Sequence, residues 1–204
     1  MTTDSINEIA TLKIELLDTD PLIWRQVEVP TSITLEGLHN VVQAAMGWYS
    51  QHLWELRLGE QRYGEPLPGG DWGGPPVLRA DKVRLREIIK PRKTILDYIY
   101  DFGDSWEHRL TLTDIRQGDP EVEYPRYIAG ERAAPPEDCG GIPGFYQALE
   151  VLADTKHPDY AELLDWFDDY DPDIVDEEVL KIALSRIARR RNAARATFAK
   201  KFKT

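Results

Sequence analysis

The hydrophobic period of this chain changes once it is well under way, and that order limits the folds open to it. Leu12, Ile14 and Leu16 alternate with Lys13 and Glu15, the spacing of a half-buried strand. Residues 23–29 read as a second strand, stopped by Pro30, and Asp18-Thr19-Asp20 before Pro21 makes the pair a hairpin. One helical stretch intervenes. Thr34 suits an N-cap, Leu35, Leu38, Val42 and Ala45 follow at helical spacing, and Gly47 suits the C-cap. Residues 53–58, 94–100 and 106–113 read as further strands, 83–89 as a short helix, and 122–128 as another extended piece. Beyond Gly141 the period becomes helical: Pro143 suits a first turn, Phe145, Leu149 and Leu152 share a face, residues 160–167 follow, and a last helix begins at Val175 or Asp176. Strands first and helices last predict a single α+β domain over 1–204. Its N-terminal strand-strand-helix-strand unit has the order of a ubiquitin-like grasp. A further antiparallel hairpin extends it, and the C-terminal helices pack on it, with 175–204 a helix whose end is basic. Residues 64–76, rich in Gly and Pro, predict a long surface loop around Trp72.

Charge is unevenly placed. The net charge is −11, yet residues 181–204 hold nine Lys or Arg and no acid, which leaves 16 basic against 36 acidic residues elsewhere. An acidic body repels phosphate, so any nucleic-acid contact has to use Arg189, Arg190, Arg191, Arg195 and Lys200 near the C-terminus. The same ordering, acids opening the last helix and arginines late in it, also complements the helix dipole. No apolar run reaches the length of a membrane span. The lone Cys139 excludes an internal disulfide and suits a reducing compartment, so the expectation is a cytoplasmic protein without membrane attachment.

Two short stretches concentrate chemistry-bearing residues. In the first, Asp101-Phe102-Gly103-Asp104-Ser105-Trp106-Glu107-His108, the carboxylates suit a turn, with Gly103 free to take positive φ. If Asp101, Asp104 and His108 face one pocket, they suit metal binding or proton transfer. A kinase reading of Asp-Phe-Gly fails, since no catalytic loop or phosphate loop accompanies it. The second stretch, Pro135-Pro136-Glu137-Asp138-Cys139-Gly140-Gly141, leads into a helix N-terminus, where Glu137 and Asp138 are expected to cap amides. Asp101, Asp104, Trp106, His108, Glu137, Asp138, Cys139 and His52 form the candidate pocket. Asp169, Asp171 and Asp173 alternate like a calcium loop, but Ile174 and Leu180 occupy the positions that need Gly and Glu, so they read as a solvated acidic turn.

These stretches carry a resemblance. Ile23-Trp24-Arg25-Gln26-Val27-Glu28-Val29-Pro30, Gly47-Trp48, His52-Leu53, residues 100–108, residues 130–141 and His157-Pro158 resemble the plasmid pRiA4b ORF-3-like family across roughly Leu12 to Leu184. The resemblance implies an α+β domain of bacterial or archaeal type, sometimes linked with plasmids and mobile elements, with no established activity. Some members carry a resolvase label, for which this chain shows neither a helix-turn-helix nor an early serine among arginines. The family pattern has His-Leu-His where this chain has His52-Leu53-Trp54, and a Cys where it has Ala134. A soft-metal site in the family therefore loses two ligands here, leaving His52, His108, Cys139 and the carboxylates.

The leading functional expectation is a non-catalytic binding or interaction module for an unknown protein or small-molecule partner, with contact surfaces around Trp72 or Trp166. It needs no cofactor and no assigned metal. One alternative is a metal-dependent hydrolase built on the hairpin from Asp101 to His108. Another is a nucleic-acid accessory protein using the basic helix. Substrate, partner and oligomeric state leave no sequence signal.

Overall fold

The structure is a computed structural model and describes residues 8–66, 75–90, 94–168 and 170–201, with the side chains of Arg195, Ala199, Lys200 and Lys201 outside the description. The elements are β1 (Glu8–Leu16), β2 (Ile23–Pro30), α1 (Leu35–Met46), β3 (Trp54–Leu58), β4 (Gln61–Gly64), β5 (Val77–Arg79), α2 (Leu85–Ile88), β6 (Ile95–Tyr100), β7 (Trp106–Gln117), β8 (Arg126–Glu131), α3 (Gly141–Leu152), α4 (Tyr160–Phe167) and α5 (Glu177–Lys201). The strands make one eight-stranded sheet in the order β5-β4-β3-β6-β7-β1-β2-β8. Every pairing is antiparallel except β4 with β5.

Strand alternation decides which face is covered. Leu12, Ile14 and Leu16 of β1 meet Leu112, Leu110 and His108 of β7 across the ladder, and β7 sets Leu110, His108 and Trp106 against Leu96, Tyr98 and Tyr100 of β6. All of these are buried under the helices. The intervening residues Lys13, Glu15, Glu107, Arg109 and Asp97 fall on the uncovered face, as antiparallel sheets with one solvated side require. Two glutamates on that face are nevertheless shielded. Glu28 is gripped by Arg116 and Arg126, and Glu55 by Arg57 and Arg62. Burial raises the Glu28 carboxyl, but the two guanidiniums outweigh it and hold it below the usual carboxylate range.

The first helix forms as its caps direct. Thr34 Oγ1 accepts the Gly37 amide, and Gly47 closes the helix at φ 78°. α5 packs on α1 and β8 through Leu180, Leu184 and Ala188, while Phe145 of α3 and Phe167 of α4 meet around Tyr170. Three sequence expectations change. The N-terminal unit does not close on itself as a grasp, because the β6–β7 hairpin separates β1 from β3. The last strand is not 122–128 but β8, which starts directly after Pro125, a residue with no N–H for the ladder. Part of the expected 64–76 loop is bordered by β4 and β5, each too short to show a period, and Trp72 lies outside the described residues.

Arg25 pins the second strand to the helical layer. It is 2% exposed, with Nε donating to Ala45 O at the end of α1 (3.0 Å) and a terminal nitrogen donating to Trp24 O and Glu131 O (2.8 and 3.0 Å). Burial lowers its pKa, and the carbonyls around it, with the negative end of the α1 dipole, supply the compensating partners. Gly130 makes room for it, since a Cβ there would lie 2.7 Å from Arg25 Cδ and from Trp24 O. Gly130→Ala is therefore expected to cost about 2–3 kcal/mol in urea unfolding, the range of overpacked sites. A loss below about 0.5 kcal/mol would show that the arginine moves aside without cost.

Two histidines are part of the core. His39 stacks on Trp54 (centroids 4.1 Å apart, planes 4° apart) and contacts Tyr98 Oη and Ser50 Oγ through its two nitrogens (2.8 and 2.6 Å). His108, 1% exposed, is edge-on to Trp48 and to Tyr98, with Nδ1 3.1 Å from Trp106 O. Burial pushes their pKa values down from 6.5 to about 3 for His39 and about 4 for His108. Between those values and 6.5 the unfolded chain binds protons that the folded chain refuses. Stability is thus complete above 6.5 and falls as the solution is acidified, by up to about 1.4 kcal/mol per pH unit for each histidine. Urea midpoints should be level near neutrality and drop below about pH 6.5, and His108→Phe should remove about half of that slope. An unchanged slope in the variant would mean that His108 accepts its proton inside the fold.

Candidate functional site

Three connections meet at one end of the sheet: the α1–β3 loop with His52, the β6–β7 turn with Asp101 and Asp104, and the β8–α3 loop with Glu137, Asp138 and Cys139. An aromatic platform of Trp48, Tyr100 and Trp106 lies beneath them, Trp48 being 5.4 Å from the Tyr100 ring and 5.5 Å from the Trp106 ring. Trp48 Nε1 donates to Pro135 O (2.8 Å). Tyr100 Oη donates to Glu137 Oε1 and accepts the Gln51 amide (2.9 Å), while Glu137 Oε2 accepts the Tyr49 amide (2.8 Å). Burial, then this bond to a carboxylate, raises the Tyr100 hydroxyl well above its ordinary value, so it stays a donor. Glu137 is accordingly a clamp between loops, not a cap on the α3 amides.

The amide at the start of α3 is met from the other motif. Asp104 Oδ2 accepts the Gly140 N–H (3.1 Å). Gly140 and Gly141 both take positive φ, 87° and 67°, and a Cβ on Gly141 would stand 2.3 Å from Asp104 O. Only glycine allows the two motifs to approach so closely. In the β6–β7 turn the left-handed positions fall on Asp101 (φ 54°) and Ser105 (φ 55°), whereas Gly103 was expected to supply one. Asp101 stabilises the turn itself, its Oδ1 accepting the Gly103 amide (2.9 Å).

The result is a cluster of His52, Asp101 and Asp138, whose ligand atoms all lie within 4.8 Å of one another. Asp138, like Asp101, is held at positive φ (61°). His52 Nε2 lies 2.8 Å from Asp138 Oδ1 and 3.7 Å from Asp101 Oδ2. It is closed off from solvent yet has no hydrogen-bond partner, because the Asp138 oxygen approaches off the line of the ring N–H. A cleft of about 230 Å³ opens beside it, lined by Glu36, His39, Asn40, Ser50, His52, Leu53, Trp54 and Glu65.

Other expected members of the pocket lie elsewhere. His108 and Trp106 are core residues beneath the junction, and His108 shares no contact with Asp101 or Asp104 among the described residues. A hydrolase using the Asp101–His108 hairpin as one catalytic unit is therefore excluded by burial. Cys139 is 7% exposed, and burial, then the Asp104 charge, push its thiol up to about 12, which leaves almost no thiolate to act as a nucleophile near neutral pH. The basic run also disperses, since successive helical residues point about 100° apart. Arg189 folds back on Ser185, Arg191 bonds Ser32 Oγ (2.6 Å), and Arg190 and Arg191 line a groove beside α1. Arg195 and Lys200 side chains lie outside the description. Of the acidic turn, Asp171 and Asp173 serve the loop and Arg132, and Asp169 lies outside the described residues. Trp48 and Tyr100 stand in the stretches that carry the resemblance, yet neither they nor Tyr49 were among the expected pocket residues, because aromatic residues beside a motif look like ordinary core.

Among the described residues no helix is long and apolar enough to cross a membrane. The chain is 36% identical over 198 residues to the uncharacterized protein y4hQ of Sinorhizobium fredii, a match covering 94% of this chain and all of that protein. Its fold is similar to the crystal structure of MM3350, a protein of unknown function from Methanosarcina mazei, with a TM-score of 0.76 and 34% identity over 84% of this chain and 96% of that one. The family model for plasmid pRiA4b ORF-3-like proteins matches residues 8–179. The loops that build the junction fall inside that span, and the chain belongs to the plasmid pRiA4b ORF-3-like family.

Proposed function

We propose that the protein is a binding module whose loop junction holds a divalent cation through His52, Asp101 and Asp138, with the adjoining cleft receiving a small polar ligand. The observation that carries this reading is the His52 Nε2, closed off from solvent and without a hydrogen bond, yet 2.8 Å from an Asp138 oxygen and 3.7 Å from an Asp101 oxygen. A polar atom shut off from water without a hydrogen bond is costly, and a cation would satisfy it together with both carboxylates. Metal–ligand bonds of about 2.0–2.2 Å set neighbouring ligand atoms about 3 Å apart, and His52 Nε2 already stands 2.8 and 3.7 Å from the two carboxylates. One imidazole and two carboxylates form a harder donor set than a cysteine-rich zinc site, and favour Mn²⁺ or a similar first-row ion. Trp54, standing where the family pattern has a second histidine, is committed to stacking on His39.

A second reading, metal-assisted hydrolysis, draws on the coordination positions that three protein ligands leave open. It would not involve His108, and ester hydrolysis by the Mn²⁺-loaded protein, lost in the variants below, is its signature.

Metal-stripped protein titrated with Mn²⁺ and followed by electron paramagnetic resonance should take up close to one equivalent, with a rise in melting temperature. Asp138→Asn keeps a residue that tolerates positive φ, so it should fold normally and bind at least about tenfold more weakly. His52→Gln should behave alike. Absence of stoichiometric binding of Mn²⁺, Zn²⁺, Mg²⁺ and Ca²⁺ to the folded protein would sink the proposal.

Gly141→Ala tests how the junction is assembled. Its Cβ would clash with the Asp104 carbonyl at a left-handed φ, so a loss of about 2 kcal/mol or more is expected along with weakened Mn²⁺ uptake. Full retention of both would show that the two loops need not touch.

A further inference from the structure

The molecule has a second recess, larger than the cleft at His52 and chemically unlike it. A groove of about 1310 Å³ runs between α1 and α5. Its apolar lining includes Ile33, Ala44, Leu180, Ile182, Ala183 and Ile187, and Arg84, Arg86, Arg186, Arg190 and Arg191 also line it. In a chain with 36 acidic residues, none of the residues lining this groove is Asp or Glu. Arg186 and Arg190 are exposed, and neither forms a salt bridge among the described residues.

The helix α5 explains the groove. Its buried stripe, Leu180, Leu184 and Ala188, faces the domain. A second stripe, Val179, Ile182, Ala183, Arg186, Arg190, Ala194 and Phe198, recurs at three- and four-residue steps and lines the groove. Val179, Ile182 and Phe198 are 55%, 49% and 66% exposed, an unusual concentration on one helix. From Val179 to Phe198 the stripe spans about 29 Å, the length of a partner helix of about five turns. Arginines among aliphatic residues, with no Asp or Glu in the lining, complement glutamates flanking leucines. A phosphate backbone would use the guanidinium groups and leave the apolar floor wet, so nucleic acid fits less well.

We propose that this groove docks an acidic amphipathic helix of a partner protein. The proposal is independent of the cation site, which draws on other side chains.

The test uses the full chain and a fluorescein-labelled 18-residue helical peptide with leucines on one face and glutamates flanking them. Fluorescence anisotropy should show saturable binding that weakens as salt is raised. The charge reversal Arg186→Glu/Arg190→Glu, at exposed positions where folding is not at risk, should weaken binding at least tenfold without changing the melting temperature. Ile182→Asp should do the same. A peptide of the same composition with its leucines spread around the helix should bind at least tenfold more weakly. Equal binding of both peptides, or an unaffected arginine variant, would overturn the proposal. So would displacement of the peptide by a duplex DNA probe at lower concentration, which would assign the groove to nucleic acid. A concentration-dependent dimer abolished by the arginine variant, with no peptide binding, would assign it to a second copy and overturn it likewise.

Discussion

The site depends on a contact between two backbones. Gly141 sits against the Asp104 carbonyl at a distance no side chain would permit, and Asp104 in turn accepts the Gly140 amide. This contact brings the turn after β6 and the loop before α3 together, and so places Asp101 and Asp138 near one imidazole. Side-chain bonds then hold the arrangement: Glu137 reaches Tyr100 and the Tyr49 amide, and Pro135 receives the Trp48 indole. Two carboxylates at left-handed φ are tolerated because Asp is among the few residues that visit that region readily.

Beneath the loops lies a buried polar layer that is unusual for a sheet core. Tyr98 Oη takes a bond from Gln43 Nε2 (2.9 Å) and meets His39, His39 reaches Ser50, and the Ser50 amide donates to Gln43 Oε1 (2.9 Å). The ring of bonds closes on itself, so the buried members His39, Gln43 and Tyr98 each have partners within the protein, the condition under which a polar core is tolerated. Its effect is to lock the segment between α1 and β3, which carries His52, to the helix and the sheet at once. Rigid support of this kind is what a binding site needs if its ligands are to be held in place before the ligand arrives.

Much of the fold was legible because local signals agreed with one another. The first hairpin, the caps of α1 and the β6–β7 hairpin each showed a clear period bounded by turn residues, and each appears within a few residues of the expected place. What failed was long-range. Nothing in residues 53–58 says that β3 will pair with β6 rather than join β1, since pairing is decided by packing far along the chain. β4 and β5 are too short to carry a period. At the site, the two motifs were visible, and His52 with them, yet which side chains converge was not. His108 was grouped with Asp101 by nearness in sequence. Period two in β7 puts it in the covered face beside Leu110, in register with Tyr98, whereas Asp101 belongs to the turn. The groove was invisible because its arginines come from two distant segments and its apolar stripe looks, in sequence, like ordinary helix packing.

The two margins of the sheet have a consequence for how this protein meets others. On one side β5 offers three residues, and on the other β8 is preceded by Pro125 and broken in register against Gln26 and Val27. Neither presents the long, flat row of free amides and carbonyls that lets a foreign strand add itself to a sheet. Among the described residues these margins disfavour association by strand addition, a hazard and a tactic of open sheets. Recognition is left to its loops and its helices, where shape and charge, not backbone pairing, choose the partner.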